Sequence, residues 1–441
     1  MELMTATDAQ AYWMSATIPS DQFLLYCFDR GVGPGESIDE IGSALLGRAA
    51  GIDDLMLRIV EVPHGLDFPY WVHAPVSTRQ LRRHRAQGWD DCLRILGAEM
   101  ADQIDLTDHG WRVHLFDPIS DAPGVHGATV VAVLQIAHAL ADGTLASDIA
   151  RRLFGPDPLV SDSHGSVADI GTFSPTRAFA RAVVSMPVRA GRLAVAAVGA
   201  HRAHRRREHD IAEGRVSAAP AGGPLVSVNT RPDHRRELST VHTDRDALRA
   251  IGGSVTRGAL VVISEALAEH LDVDPSVGLR AEITVAKPGV RLARNHFRNA
   301  GIDLWITEPD RAVRARCIGD EIDAAVLRAA HPATVAESRA MASVPAALIR
   351  WGVAGFDADV VPDTMTGNVV VSSVNRGPAD LVLGGGRVVF TTGFPALSPM
   401  QTLTHGVHGI GDRVVISICS SPTGLADVDA YRDRLAARLN T

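Results

Sequence analysis

His138 precedes Asp142 and Gly143 in the stretch QIAHALADG. A neutral imidazole accepts a proton near physiological pH. Acyl transfer from a thioester to an alcohol needs such an acceptor, because the hydroxyl proton must leave as its oxygen attacks the carbonyl. A positioned general base typically contributes about 10²–10⁴ in rate. Asp142 lies past a turn and is suited to holding the loop through an arginine partner rather than to touching substrate. Gly143 permits a tight turn or a close backbone approach. The competing reading is a core histidine satisfied by hydrogen bonds, beside an Asp that starts a helix. HxxxD alone is a cheap pattern. The chain has a second copy, His408 to Asp412, in a Gly-rich segment that reads as a structural turn. What sets the His138 copy apart is Gly143 directly after the Asp, and its place at a strand end, where α/β proteins commonly hold chemistry.

The elements around His138 follow from pattern. GATVVAVLQI is a nearly continuous, β-branched apolar run and predicts a buried strand. WRVHLF alternates like a half-buried strand, and DPISDAPGVHG between the two has turn chemistry. ASDIARRLFG predicts an amphipathic helix, with Ile149 and Leu153 four apart and Gly155 placed to stop it.

The whole chain reads as two α/β halves: an N-terminal domain over 1–160, a crossover with a helix over 161–224, and a second domain over 225–441. Residues 156–178 are loop-like, a helix is expected near 176–208, and AEGRVSAAPAGGP reads as a linker. Later helices are expected near 245–271, 311–331, 335–351 and 426–439. The expected strands are LRAEITVA, GIDLWI, NVVVSSV, GRVVFTT and RVVISIC, with GIGDRVVISI as a hairpin arm.

Composition narrows the classes. The chain has 441 residues, enough for two domains. Hydrophobic residues at 46% and charged residues at 21% fit an ordinary soluble protein. A net charge of −8 argues against a nucleic-acid binder. Lys287 is the sole lysine, a bias that points to a GC-rich genome rather than to function. Cys27, Cys92, Cys317 and Cys419 lie far apart without CxxC spacing, so neither a disulfide framework nor a zinc site is expected, and the pattern fits a reducing cytoplasm. The N-terminus lacks the features of a secretory signal. Phe179 to Ala200 is the most apolar long stretch, but Arg181, Pro187, Arg189 and Arg192 interrupt it, so no membrane span is expected. Arg202 with Arg205, Arg206 and Arg207 is either a solvated helix face or a contact to anionic headgroups. GVGPGES lacks a P-loop lysine and reads as a turn, as does GGGRVV, and the absence of GxSxG and HExxH leaves hydrolase readings without support.

QIAHALADGTLASDIARRLFG resembles the active-site region of the bacterial wax ester synthase/diacylglycerol acyltransferase family, within the wider HHxxxDG acyltransferases. MSATIPSDQFLLY is similar to that family's opening segment. GWRVHLF stands at its Pro-Leu-Trp element, with Trp111 as the match. SVNTRPDHRREL resembles its Asn…Arg-Arg segment through Asn229, Arg235 and Arg236. LRAEITVAKPGVRLARNHF resembles the strand and loop leading to an Asn, here Asn295. NVVVSSVNRGPADLVLGGGRV is similar to its late strand and Gly-Pro turn, with Asn368 matching. The chain departs from the pattern at Ala137 for the first His of the pair, at Thr256-Arg257 for an Asn-Asp pair, at His109 and Gly110, and at Ser373.

The resemblance implies a two-domain CoA-dependent acyltransferase fold like that of chloramphenicol acetyltransferase, with mixed sheets flanked by helices and a channel between the domains. It implies His138 as base with Asp142 and Gly143 in support, and Trp111, Asn229, Asn295 and Asn368 toward substrate. It implies acyl-CoA as co-substrate, neither metal nor other cofactor, and no covalent acyl-enzyme. The expected acceptor is diacylglycerol or a fatty alcohol, at a cytoplasmic site with peripheral membrane contact. Two alternatives stay open: another cell-envelope or polar alcohol as acceptor, in which Arg257 contacts it, or a non-catalytic relative that binds lipid or a protein partner.

Overall fold

The apolar run at 127–136 forms a strand, Thr129–Ile136, with every side chain buried. Its two faces feed different cores. Val130, Ala132, Leu134 and Ile136 pack with Trp71 and Trp111, whereas Val131 and Val133 pack with Phe23, Trp89 and Phe390. That is why the run is continuous rather than alternating.

The computed structural model describes residues 2–31, 35–125, 127–156, 173–274 and 277–440. Most of the loop-like 156–178 segment, residues 32–34 of GVGPGES, and residue 126 in the turn before the buried strand lie outside the described residues. The strands are β1 (Glu2–Leu3), β2 (Gln22–Asp29), β3 (Leu57–Val60), β4 (Tyr70–His73), β5 (Leu81–His84), β6 (Trp111–Ile119), β7 (Thr129–Ile136), β8 (Glu237–Asp244), β9 (Arg280–Ala286), β10 (Phe297–Asp303), β11 (Val369–Asn375), β12 (Val382–Leu383), β13 (Gly386–Phe394), β14 (Leu403–Ile410) and β15 (Arg413–Ser420). They form two six-stranded mixed sheets, β12-β13-β2-β7-β6-β5 and β10-β9-β11-β14-β15-β8, and a small sheet β1-β4-β3. The helices are α1 (Ala6–Ser15), α2 (Ile38–Ala49), α3 (Trp89–Glu99), α4 (Gly143–Phe154), α5 (Pro175–Ala212), α6 (Arg245–Gly252), α7 (Val255–His270), α8 (Arg311–Ala330), α9 (Pro332–Ala342), α10 (Ala346–Ala354) and α11 (Val428–Leu439).

The two sheets do not divide at one point in the chain. β13, from the C-terminal half, pairs antiparallel with β2 of the first sheet. β13 also abuts the second sheet at β14. The Ser417 hydroxyl donates to the Gly393 carbonyl at 2.5 Å and accepts from the Gly406 N–H at 3.1 Å. A Cβ on Gly406 would lie 2.5 Å from the Gly393 oxygen, so glycine sets how closely the sheets approach.

Three expected elements come out differently. The helix expected over 245–271 is two, α6 and α7, bent by 75° at Gly253, whose φ of +75° ends α6. The helix expected over 335–351 breaks before Pro345, which caps α10. The strand expected at GIDLWI starts earlier, at Phe297, and stops at Asp303, with Trp305 in the left-handed region.

The long helix α5 runs unbroken through Pro187 for 38 residues. It is long and apolar enough to cross a membrane, and only 6% of its most apolar window is buried. This revises the expectation drawn from the interrupted sequence. The intervening arginines do not break the helix, and Val184 and Val195 are 77% and 75% exposed on it. Of the arginine run, Arg207 is engaged in an ion pair with Glu337 at 2.9 Å.

Candidate active site

A cavity of about 300 Å³ opens between the two sheets. Its walls come from β2 and β13 on one side and from β9, β11 and β14 on the other. His138 and Gly143 line it.

His138 sits in the turn that follows β7, closed by the Leu140 N–H on the Ala137 carbonyl at 2.8 Å. Its ring packs 5.5 Å from that of Phe297. Nδ1 lies 2.7 Å from Asn295 Oδ1. The amide orientation follows from the other contacts. Asn295 Nδ2 donates to the His138 carbonyl at 2.9 Å and to Asp8 Oδ1 at 3.0 Å. A carbonyl oxygen only accepts, so the NH2 must face it and Oδ1 must face the ring. Nδ1 therefore carries the hydrogen. In the neutral ring Nε2 is then the nitrogen with the lone pair, and it has no protein partner among the described residues. Asp8, itself 1% exposed, also accepts from the Asn295 N–H at 2.9 Å, the Arg294 N–H at 3.1 Å and the Thr5 hydroxyl at 2.7 Å. The first helix thus anchors Asn295, which sets the tautomer of His138.

Asp142 caps α4, accepting the Leu145 N–H at 3.0 Å. Its other oxygen accepts from Arg291 Nη1 at 2.8 Å and the His296 N–H at 2.9 Å. Burial alone would raise the pKa of this carboxyl. The Arg291 hydrogen bond and the two backbone donors outweigh burial and hold the group below its ordinary value. Asp142 does not line the cavity, whereas a Cβ added to Gly143 would stand 3.4 Å from Val374 of β11. The loop between β9 and β10 thus reaches across to the first half of the chain. Arg294 extends the join, pairing with Asp54 at 2.8 Å and lying over the Trp71 ring at 5.0 Å.

The other residues expected toward substrate lie elsewhere. Trp111 is 1% exposed and donates from Nε1 to the Leu55 carbonyl at 2.7 Å. Asn229 and Asn368 clasp each other at 2.8 Å and hold the backbone at Met400, Pro224 and Arg280. None of the three is a cavity wall. Each is a polar group that satisfies buried backbone, a role that sequence alone cannot separate from ligand binding.

Sequence reasoning missed Asp8, Gln22, Glu282 and Arg376, and set His408 aside. His408 is not in a turn. It lies on β14, 5% exposed, and lines the same cavity as His138. Burial, and after it the Arg376 charge, hold its imidazole far below its ordinary pKa. The Asp of that HxxxD copy, Asp412, is exposed at the hairpin turn and pairs with Arg245 at 2.6 Å. LTHGVHGI gave no strand signal for His408, because its apolar Leu403, Val407 and Ile410 are spaced four and three apart rather than alternating.

Two of the departures from the family pattern meet each other: the Thr256 and Ser373 hydroxyls lie 2.7 Å apart. Arg257 is not a cavity wall, and its guanidinium packs on Gly319 of α8. Ala137 is 4% exposed and packs in the first core. One group among the described residues has metal-ligand spacing: His84, Glu99 and His114. Glu99 there is already paired with Arg82, and none of the three lines the cavity.

No family model matches the chain, and no curated protein matches it in sequence. Solved structures do match its fold, which is that of the two-domain CoA-dependent acyltransferases and condensation domains. The wax ester synthase/diacylglycerol acyltransferase from Marinobacter aquaeolei VT8 superposes with a TM-score of 0.63 at 17% identity, covering 99% of this chain and 98% of that one. This agrees with the family resemblance carried by the HALADG segment. The starter condensation domain of rhizomide synthetase RzmA, solved as a point mutant in complex with C8-CoA, matches with a TM-score of 0.56 at 15% identity over 100% of this chain and 95% of that one. The first condensation domain of the CDA synthetase matches at 0.54 and 15% identity, over 99% and 95%.

Proposed function

We propose that this protein is an acyl-CoA-dependent O-acyltransferase in which His138 is the general base. The observation that carries the reading is the fixed tautomer: Asn295 occupies Nδ1–H, and Nε2 is left with its lone pair on a ring that lines the interdomain cavity. In the proposed reaction the acceptor hydroxyl gives its proton to Nε2 as its oxygen attacks the thioester carbonyl. The tetrahedral intermediate then collapses, the C–S bond breaks, and the imidazolium returns the proton to the departing thiolate. The products are an ester and free CoA. No covalent acyl-enzyme is needed. The acceptor proposed first is diacylglycerol or a fatty alcohol, giving triacylglycerol or wax ester.

The exposed apolar surface of α5 favours peripheral contact with a lipid surface on the cytoplasmic side, where such acceptors dissolve. Val184, Val188 and Val195 fall on one helical face at 77%, 57% and 75% exposure. Cosedimentation with anionic vesicles that is lost when Val184 and Val195 become Glu would support this contact. Equal binding by the variant would remove it. The reaction is tested by CoA thiol release from a panel of acyl-CoAs offered with diacylglycerol, hexadecanol and polar alcohols, with the ester identified by mass. Acceptor-dependent thiol release with matching ester is the expected result. Its absence across the panel would favour the non-catalytic alternative.

A further inference from the structure

Arg376 directly follows β11 and lines the cavity that holds His138. It is 3% exposed. Nη1 donates to the Thr391 hydroxyl at 2.7 Å and the Thr392 carbonyl at 2.9 Å. The guanidinium carbon lies 5.2 Å from the centre of the Tyr26 ring. None of these partners is an anion. Nε has no partner, and among the described residues no carboxylate pairs with this guanidinium. On the Gly393 side a Cβ would lie 2.6 Å from Nη2, so only glycine leaves room there. The neighbouring His408 is neutral, and its Nδ1 is also unpartnered.

Burying an uncompensated cation is costly, and such charges are ordinarily paired. The carboxylate among the cavity walls, Glu282, does not serve. It stands opposite Val370 on β9 and is bonded by Asn299 at 2.6 Å. Six residues of β11 separate that position from Arg376, roughly 20 Å of strand. The cavity therefore carries an unmatched positive end. No second arginine or lysine among the described residues lines the cavity, so this guanidinium suits a monoanion, and its planar donors suit a carboxylate. His138 and Arg376 are walls of one cavity. Gly143 abuts Val374, and Arg376 is the next residue on that face of β11, about 7 Å further along. Phe23, Leu24 and Phe394 line the same cavity.

We propose that the acceptor this cavity fits is a hydroxy acid, in place of the diacylglycerol or plain fatty alcohol named first, bound with its carboxylate on Arg376 and its hydroxyl at His138 Nε2 across an apolar chain. This rests on the acyl-transfer reading above. The hydroxyl proton passes to His138 and then to the CoA thiolate, the new C–O bond replaces the C–S bond, and the carboxylate leaves unchanged on the product ester.

The test compares hydroxydecanoate with decanediol, which has the same chain without the charge. In thermal unfolding, hydroxydecanoate raises the Tm of the wild type and decanediol does not. Arg376→Met removes that shift, and its own ligand-free Tm is no lower than wild type, because an uncompensated buried charge has gone. In turnover, kcat/KM for hydroxydecanoate exceeds that for decanediol by at least about tenfold in the wild type, and Arg376→Met loses the preference. If Arg376→Met does not fold, Arg376→Gln, which can still bond Thr391, carries the same readouts. Equal stabilisation by the two ligands, or a preference that survives at position 376, overturns the proposal. Failure of acyl transfer itself looks different: no acceptor releases thiol, yet the carboxylate shift and its dependence on Arg376 remain, which upholds the carboxylate site.

Discussion

His138 and Asn295 are 157 residues apart in the chain and hold each other twice, ring nitrogen to amide oxygen at 2.7 Å and amide nitrogen to carbonyl at 2.9 Å. The pair joins the turn after β7 to the loop before β10, so the base is aligned only when the two halves of the chain are docked.

Asn295→Ala is expected to leave the fold intact and to lower kcat by ~10²-fold with little change in KM, since small misplacements of a reacting group cost about that much. The loss reflects the freed tautomer and ring, not weaker substrate binding. Steady-state kinetics check it. A loss confined to KM would show instead that Asn295 contacts substrate.

Asp142→Ala should lower both stability and activity. Removing one partner of a buried pair typically costs about 3–5 kcal/mol, and the lower end applies here because Arg291 is 34% exposed. The carboxyl's pKa is depressed in the fold from 3.8, so its contribution is full above about pH 4 and is lost as pH falls through the folded value. The gap in Tm between wild type and variant should therefore narrow in acid. An unchanged Tm at neutral pH with catalysis abolished would make Asp142 a participant in the reaction.

Acid sensitivity should also arise from histidines that the fold shields from solvent and keeps neutral. His242 on β8 meets the Phe390 ring edge-on at 4.6 Å, and burial pushes its pKa down from 6.5 to about 4. The unfolded chain takes a proton near pH 6.5 that the folded chain declines. Stability is thus highest above 6.5 and declines from there to about 4, by ~3 kcal/mol for this group at 1.36 kcal/mol per pKa unit. Denaturant titrations at neutral and mildly acidic pH should show a shallower decline in His242→Leu. An identical decline would place the sensitivity in other groups, such as His114, also lowered to about 4 by burial.

Local pattern carried much of this. The buried β7, the amphipathic α4 and the Gly411 hairpin were legible because periodicity and turn chemistry act over a few residues. An arginine on Asp142 was expected from the chemistry, but its identity as Arg291 was not, because the contact spans 149 residues. Asn295 entered only through the family resemblance. Arg376 and His408 were not legible as cavity walls, because what matters is the meeting of β11, β13 and β14, which no spacing encodes. Trp111, Asn229 and Asn368 show the converse: family-matched positions whose polar groups here hold backbone.

The central claim is that His138 is the base, and the most direct measurement is CoA release by His138→Ala beside wild type, with circular dichroism and Tm confirming that both are folded. The account predicts a fall of at least about 10² in acyl transfer from the folded variant. A folded His138→Ala protein that turns over at the wild-type rate would contradict it.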